Sequence, residues 1–154
     1  MHFVCAFILT LLPRLFNTNF KINKICRTPN HSRMRQLLIF YVYSSKLLLQ
    51  AKILKSLNRS LQKYVPDDVE RQKFIVAAYN SGIAHVYDAI ALAQKYGKNP
   101  QLWDGNVAET ILMKSKPEFY NDSVCKYGYF RGKQTVTYVT QVMNFYEKSK
   151  KEIK

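Results

Sequence analysis

The chain has 154 residues, 47% of them hydrophobic, which is the size of one domain and enough apolar material for a single core. Its formal net charge of +14 is of the kind that nucleic-acid-binding proteins show. The charge is uneven, however: residues 1–66 contain eleven Lys or Arg and no Asp or Glu, whereas the rest contains thirteen basic and ten acidic residues. Because the basicity belongs mostly to one end, a nucleic-acid-binding function is disfavoured.

Residues 1–50 contain two apolar runs, "FVCAFILTLLP" and "QLLIFYVYSS", with little sustained helical or strand period. The first run resembles the apolar part of a secretory signal, yet no Lys or Arg precedes it and no small-x-small cleavage site follows. Neither run reaches the roughly 18 apolar residues of a membrane span. We therefore predict a basic, apolar leader that is not a native domain and packs poorly; a degenerate signal or interfacial segment is the alternative.

From residue 51 the pattern becomes helical. One helical face carries residues spaced by three and four, namely Ile53, Leu54, Leu57, Leu61 and Tyr64. Pro66 ends this helix, and Asp67 with Glu70 forms a capping-box pattern that begins the next. Gly82 can adopt a left-handed conformation and end that second helix. The sequence thus predicts two consecutive helices separated by a short turn.

Three further helices and one irregular connection are predicted after Gly82. A third helix is predicted up to Gly97, and Asn106 with Glu109 repeats the capping spacing before "VAETILMK". The stretch "KPEFYNDSVCKYGYFRG" has the Pro, Asn and Gly content of an irregular connection. The last predicted helix, "KQTVTYVTQVMNFYEKSKK", has one apolar stripe, made by Val136, Val139, Met143 and Tyr146. The fold class predicted for residues 51–150 is all-α, with residues 151–154 as a lysine-rich tail.

Three ordered stretches carry a family resemblance: "ERQKFIVAAYNSGIAHVYDAIALAQKYGKNPQLW", "NVAETILMKSKPEFYND" and "VCKYGYFRGKQTVTYVTQVMNFYEKS". They resemble the C-terminal half of the soluble lytic transglycosylase (SLT) domain, in its membrane-bound lytic murein transglycosylase F-like form, of the glycoside hydrolase family 23 type. The resemblance covers residues 51–150 and implies a partial lysozyme-like helical domain. It also implies a location in the cell envelope or periplasm, although the chain shows no convincing signal peptide.

The resemblance implies peptidoglycan glycan strands as the partner. Family members cleave the bond between N-acetylmuramic acid and N-acetylglucosamine without water, leaving a 1,6-anhydro end. One carboxyl group serves as acid and then as base, because the sugar's own 6-hydroxyl is the nucleophile. That carboxyl must keep its proton near neutral pH, so it needs a raised pKa.

The same resemblance assigns the substrate-binding residues Tyr79, Asn80 and Tyr138. Tyr79 and Asn80 fall on the family's Ala-Tyr-Asn motif, where an aromatic face suits a sugar ring and an amide suits its hydroxyl or acetamido groups. Tyr138 falls on the late Tyr-Val motif and is expected to reach toward the acid. Without the resemblance, Tyr79 reads as a core aromatic, Asn80 as a helix-end residue and Tyr138 as packing of the last helix. Gln134 stands where the family usually has Glu.

The family's catalytic Glu, expected in a Glu-Ser context upstream of Tyr79, is absent, since residues 1–66 contain no acid. We therefore expect a truncated copy that, alone, does not cleave peptidoglycan. Two alternatives remain: a non-catalytic glycan-binding remnant and, less favoured, a basic nucleic-acid-binding protein. Membrane association is compatible with the family, but nothing in these residues supports it.

No cofactor or metal is predicted. The three cysteines, Cys5, Cys26 and Cys125, form neither a Cys-x-x-Cys pair nor an even disulfide set. The three histidines, His2, His31 and His85, are scattered, and His85 is expected to be a packed or solvent-facing residue. No glycine-rich phosphate loop is present.

Overall fold

The structure is a computed structural model that describes the backbone of residues 31–152 and the side chains of residues 45–152. The chain divides into two units, Met1–Ile53 and Leu54–Lys154. Across the described backbone all regular structure is helical, so the predicted all-α class is confirmed, and the helices fit part of a lysozyme-like domain. Most of the predicted leader lies outside the described residues.

Helix α1 spans His31–Leu61 and is longer than predicted, because it begins some twenty residues before residue 51. The added segment contains no Pro or Gly to interrupt backbone hydrogen bonding, a property that apolar periodicity does not register. Leu54 and Leu61 are buried, as their spacing predicted, whereas Ile53 is 42% exposed. Among the described helices, none combines the length and apolar character needed to cross a bilayer.

Helix α2 spans Asp68–Ser81 and has the predicted ends. The Asp67 carboxylate accepts a hydrogen bond from the Glu70 backbone N–H at 2.7 Å, which satisfies one of the free donors of the first turn. Gly82 follows with a φ of +85°, a conformation that strains residues with a Cβ. The buried stretch of α2 is Phe74, Ile75, Val76, Ala77 and Ala78. Both the cap and the stop are therefore confirmed.

Helix α3 spans Ile83–Lys95 and helix α4 spans Ala108–Met113, with an irregular turn at Trp103–Val107 between them. Trp103 is 1% exposed and meets Phe74 edge to face, with ring centroids 5.4 Å apart. Its backbone N–H donates to Glu70 Oε2 at 3.0 Å. The side chain of Glu70 therefore holds this turn against α2 instead of completing a reciprocal capping box.

The predicted cap at Asn106 is wrong. Val107, which already has helical dihedral angles, immediately precedes α4, and no side chain caps the helix. Asn106 Oδ1 instead accepts from the Asn99 backbone N–H at 2.9 Å, and its Nδ2 donates to the Asp104 carbonyl. Gly105, with a φ of +69°, reverses the chain just before Asn106. The side-chain amide of Asn106 is thereby directed into the preceding loop.

A short helix α5, Pro117–Tyr120, interrupts the predicted irregular connection, and helix α6 spans Lys133–Glu152. The buried residues of α6 are Thr135, Tyr138, Val139 and Val142. The predicted stripe shares only Val139 with this set, because α6 turns its Thr135 side toward α2. Gly132, just before α6, makes a close approach: a Cβ there would lie 2.2 Å from the Ile111 carbonyl oxygen of α4.

Candidate functional site

The end of α2 meets the beginning of α6 at a hydrogen bond between two residues 55 positions apart. Thr135 Oγ1 donates to Asn80 Oδ1 at 2.9 Å. Thr135 is 1% exposed, whereas Asn80 is exposed to solvent. We call these two residues the α2–α6 junction. The junction links the Ala-Tyr-Asn motif to the segment that begins the last helix.

The junction also orients the Asn80 amide. Because its oxygen accepts from Thr135, its two N–H donors point away from that residue on an exposed side chain. Such donors suit the hydroxyl or acetamido oxygens of a sugar. Gln134, the neighbour of Thr135 in the chain, is exposed and supplies a second neutral amide.

The two predicted tyrosines lie on either helix of the junction. Tyr79 is half-buried at the end of α2, beside Asn80. Tyr138 follows Thr135 by three residues, which places the two on the same side of α6. Tyr138 is 8% exposed, so most of its ring packs within the protein. The structure thus brings Asn80 to α6, while contact of Tyr79 and Tyr138 with a glycan stays a prediction.

Most of the acidic residues already have a hydrogen-bond or ion-pair partner. All ten Asp and Glu of the chain lie at or after Asp67. Seven accept hydrogen bonds or form ion pairs: Asp67 with Glu70 N, Asp68 with Arg71, Glu70 and Asp104 with Lys73, Asp88 with Lys114, Glu109 with Lys98, and Asp122 with Lys95. The other three, Glu118, Glu147 and Glu152, are exposed. These ion pairs, hydrogen bonds and solvent-exposed positions therefore do not give the carboxyl groups the apolar surroundings that an acid catalyst needs.

A second polar group lies inside the domain, and sequence reasoning missed it. Lys114 Nζ contacts Asp88 Oδ2 at 2.5 Å and His85 Nδ1 at 3.1 Å, and Lys114 and Asp88 are 0% and 2% exposed. We call the buried Asp88 and Lys114, together with the half-buried His85, the buried cluster. Nothing local signals this pairing, because a Lys at the end of a helix usually faces the solvent.

The pKa of Asp88 is lowered. Burial acts to raise this pKa, but the hydrogen bond from Lys114 and two backbone N–H donors, of Lys126 and Tyr127, outweigh it. The pKa of Asp122 falls to about 2, mainly through the hydrogen bond from Lys95. Both shifts are opposite to the one that a general acid requires.

His85 is packed, which is one of its two expected states. Its ring stacks on Phe130 with centroids 4.3 Å apart. Burial lowers its pKa, and the charge of Lys114 lowers it further, against the opposing effect of Asp88. Within the described part of the chain, no three His, Cys, Asp or Glu side chains are grouped so as to bind a metal, and Cys125 is a free thiol.

The chain is similar to curated proteins named membrane-bound lytic murein transglycosylase F. The protein from Shewanella halifaxensis is 37% identical over 97 residues, which are 63% of this chain and 20% of that protein. Those from Maricaulis maris and Klebsiella pneumoniae are 40% and 39% identical over 88 and 84 residues, covering 55% and 53% of this chain. The matched residues make up 19% and 16% of the lengths of these two proteins. No family model matches.

The chain therefore spans about a fifth of the length of these relatives. The resemblance carried by its ordered motifs is confirmed by this identity. The similarity extends over more than half of the chain. These residues form a region similar to the SLT region of membrane-bound lytic murein transglycosylase F.

Proposed function

We propose that the domain forms one side of a cleft that binds peptidoglycan glycan strands, with Tyr79, Asn80 and Tyr138 as the contacting residues. The Thr135–Asn80 hydrogen bond carries this proposal, because it joins the Ala-Tyr-Asn motif to the helix that carries the Tyr-Val motif and orients an exposed amide. The relatives are named as murein transglycosylases, which supports peptidoglycan as the ligand.

We further propose that the chain by itself binds glycan without cleaving it. Cleavage requires a protonated carboxyl beside the scissile oxygen, and positioned acid catalysis typically supplies a factor of about 10² to 10⁴. Seven of the ten carboxyls have the partners given above, and the pKa values of Asp88 and Asp122 are lowered rather than raised. The remaining three, Glu118, Glu147 and Glu152, are exposed to solvent.

The proposed place of action is the cell envelope, where peptidoglycan lies. Nucleic acid is not a proposed ligand, because from residue 67 onward the excess of basic over acidic residues is only three. A salt-sensitive shift of random duplex DNA by the full chain would contradict this part of the proposal.

Binding is tested by co-sedimentation of the full chain with purified peptidoglycan sacculi. We expect Asn80→Ala to weaken binding about tenfold, the loss that corresponds to about 1.4 kcal/mol. The matched control is Asn144→Ala, an exposed Asn of α6 that lies roughly 13 Å along the helix axis from Thr135. Equal binding by the wild type and Asn80→Ala would contradict the assignment of Asn80.

Cleavage is tested by incubating sacculi with the full chain and measuring released muropeptides by mass spectrometry. We expect no 1,6-anhydro products above the level without protein. Release of such products by the wild type, lost in Tyr79→Ala, would show that a competent acid is present and would overturn the non-catalytic part of the proposal.

A further inference from the structure

The segment between α5 and α6 exposes two aromatic rings. Tyr127 and Tyr129 are 52% and 57% exposed, although each is a large and partly apolar side chain. They alternate with Gly128, which has a φ of +65°, and with Phe130, whose ring stacks on His85. We call residues 126–131 the tyrosine loop.

The buried cluster holds the backbone of this loop on both sides of Gly128. Asp88 accepts hydrogen bonds from the backbone N–H groups of Lys126 at 2.9 Å and Tyr127 at 3.0 Å. After the glycine, the Phe130 N–H donates to the Lys114 carbonyl oxygen at 3.2 Å. The loop is therefore fixed by charged residues of the interior and not by the rings that it exposes.

This arrangement favours recognition of a ligand. A loop that is already ordered loses little conformational entropy when a ligand binds, so its exposed rings contribute more of their contact energy to affinity. A phenol ring offers a flat face for the apolar side of a sugar and a hydroxyl that both donates and accepts. Tyr129 is supported further by Tyr120, whose ring meets it edge to face at 5.7 Å.

The charge around the rings indicates which glycan fits. From residue 123 to residue 146 the chain contains no Asp or Glu, and Lys126, Arg131 and Lys133 within it are all exposed. Peptidoglycan strands carry stem peptides with free carboxylates, whereas chitin-type strands are neutral. Aromatic rings flanked by cations therefore match a sugar polymer that bears acidic side groups.

We propose that Tyr127 and Tyr129 form a second contact surface for peptidoglycan, stacking on sugar rings, while Lys126 and Arg131 attract the carboxylates of the stem peptides. This inference rests on the proposed function and extends it from Asn80 to a surface that the family motifs did not assign. A protein partner on the same rings is the competing occupant.

The test uses the full chain and fluorescently labelled soluble peptidoglycan strands, either with stem peptides or after an amidase has removed them. We expect Tyr127→Ala combined with Tyr129→Ala to weaken binding of both strands about tenfold. Lys126→Ala combined with Arg131→Ala is expected to weaken binding of the stem-bearing strands only. The difference in affinity between this double variant and the wild type is expected to disappear at high salt. The control is Tyr146→Ala, roughly 20 Å along α6 from Lys133.

A second measurement does not depend on the variants folding. Nitration of exposed tyrosines by tetranitromethane, read by peptide mass spectrometry, is expected to slow at Tyr127 and Tyr129 when stem-bearing strands are added. Tyr96, 46% exposed on α3's C-terminal side, serves as the internal control and is expected to react at an unchanged rate.

The outcomes separate the two proposals. If Asn80→Ala weakens binding but the tyrosine variants and nitration rates do not change, the second surface is wrong and the proposed function stands. If the wild type does not bind strands at all, both are overturned. Capture of a protein at Tyr127 and Tyr129 with unchanged glycan binding would assign the surface to that protein and overturn the inference.

Discussion

The buried cluster and the α2–α6 junction both join distant parts of the chain through polar side chains, but their surroundings differ. Lys114 and Asp88 are 0% and 2% exposed, and their charges meet each other and backbone N–H groups. Asn80 is exposed, and its hydrogen bond to Thr135 uses only its oxygen. A fully satisfied polar group stabilises the fold, whereas an oriented but exposed one remains able to bind a ligand.

The largest expected effect is on the buried cluster. Lys114→Met leaves Asp88 as a buried charge without its partner, so we expect the free energy of unfolding to fall by about 3–5 kcal/mol in urea denaturation. Adding Asp88→Asn to the same variant is expected to recover part of the loss, because no unpaired charge remains. The carboxylate of Asp88 contributes stability above its unfolded pKa of 3.8, and this contribution is lost as pH falls through its lowered folded pKa.

The matched control is Lys98→Met, which breaks the Lys98–Glu109 ion pair, also 2.5 Å long, at the surface. There we expect a loss of about 0–1 kcal/mol. Equal losses for the two variants would mean that burial does not distinguish the pairs.

A smaller effect is expected at the N-terminus of α2, where the capping side chain and the N–H group that it caps lie within one turn. Asp67→Ala removes the acceptor for the Glu70 N–H and is expected to cost about 1 kcal/mol of unfolding free energy. Asp67→Ser keeps a capping oxygen and should lie within a few tenths of a kcal/mol of the wild type. A thermal melt of Asp67→Ala with the same midpoint as the wild type would show that the cap adds no stability.

At the α2–α6 junction, Thr135→Val keeps the side-chain shape but removes the hydroxyl that donates to Asn80. We expect a loss of about 0.5–1 kcal/mol in stability, together with weaker binding to sacculi, because the amide is no longer oriented. Thr140→Val is the control on the same helix, since its hydroxyl bonds only the Val136 carbonyl and is exposed. Weaker stability with unchanged binding would limit Thr135 to a structural role.

The smallest expected effect is a pH dependence from His85. Its folded pKa lies below its ordinary value of 6.5, so the neutral ring is favoured in the folded state. The resulting stability is complete above about pH 6.5 and is lost as pH falls through the lowered pKa. His85→Phe keeps a ring against Phe130 but cannot titrate. Thermal melts of this variant should therefore lack the decline of the wild type just below pH 6.5, and an identical decline would assign it to another group.

The sequence predictions for the ends of α2 agree with the structure, whereas those for the cap of α4 and the buried face of α6 do not. The Asp67 cap and the Gly82 stop are confirmed, because each depends on residues within one turn of the helix. The same capping rule failed at Asn106, where Gly105 and Asn99 redirect the side chain. The burial of α6 was also misjudged, since Thr135 and Tyr138 face the core where the apolar spacing indicated Val136 and Met143.

The sequence by itself determined the all-α class, the boundaries of α2 and the similarity of the matched region to membrane-bound lytic murein transglycosylase F, because local propensities and ordered motifs depend on neighbouring residues. Only the tertiary structure decided that Lys114 pairs with Asp88, 26 positions away, and that Thr135 reaches Asn80, 55 positions away. Such contacts depend on how the helices pack and on which polar groups lose access to water, and no local pattern specifies either. The tyrosine loop follows from the same packing, since Asp88 holds its backbone and leaves Tyr127 and Tyr129 exposed.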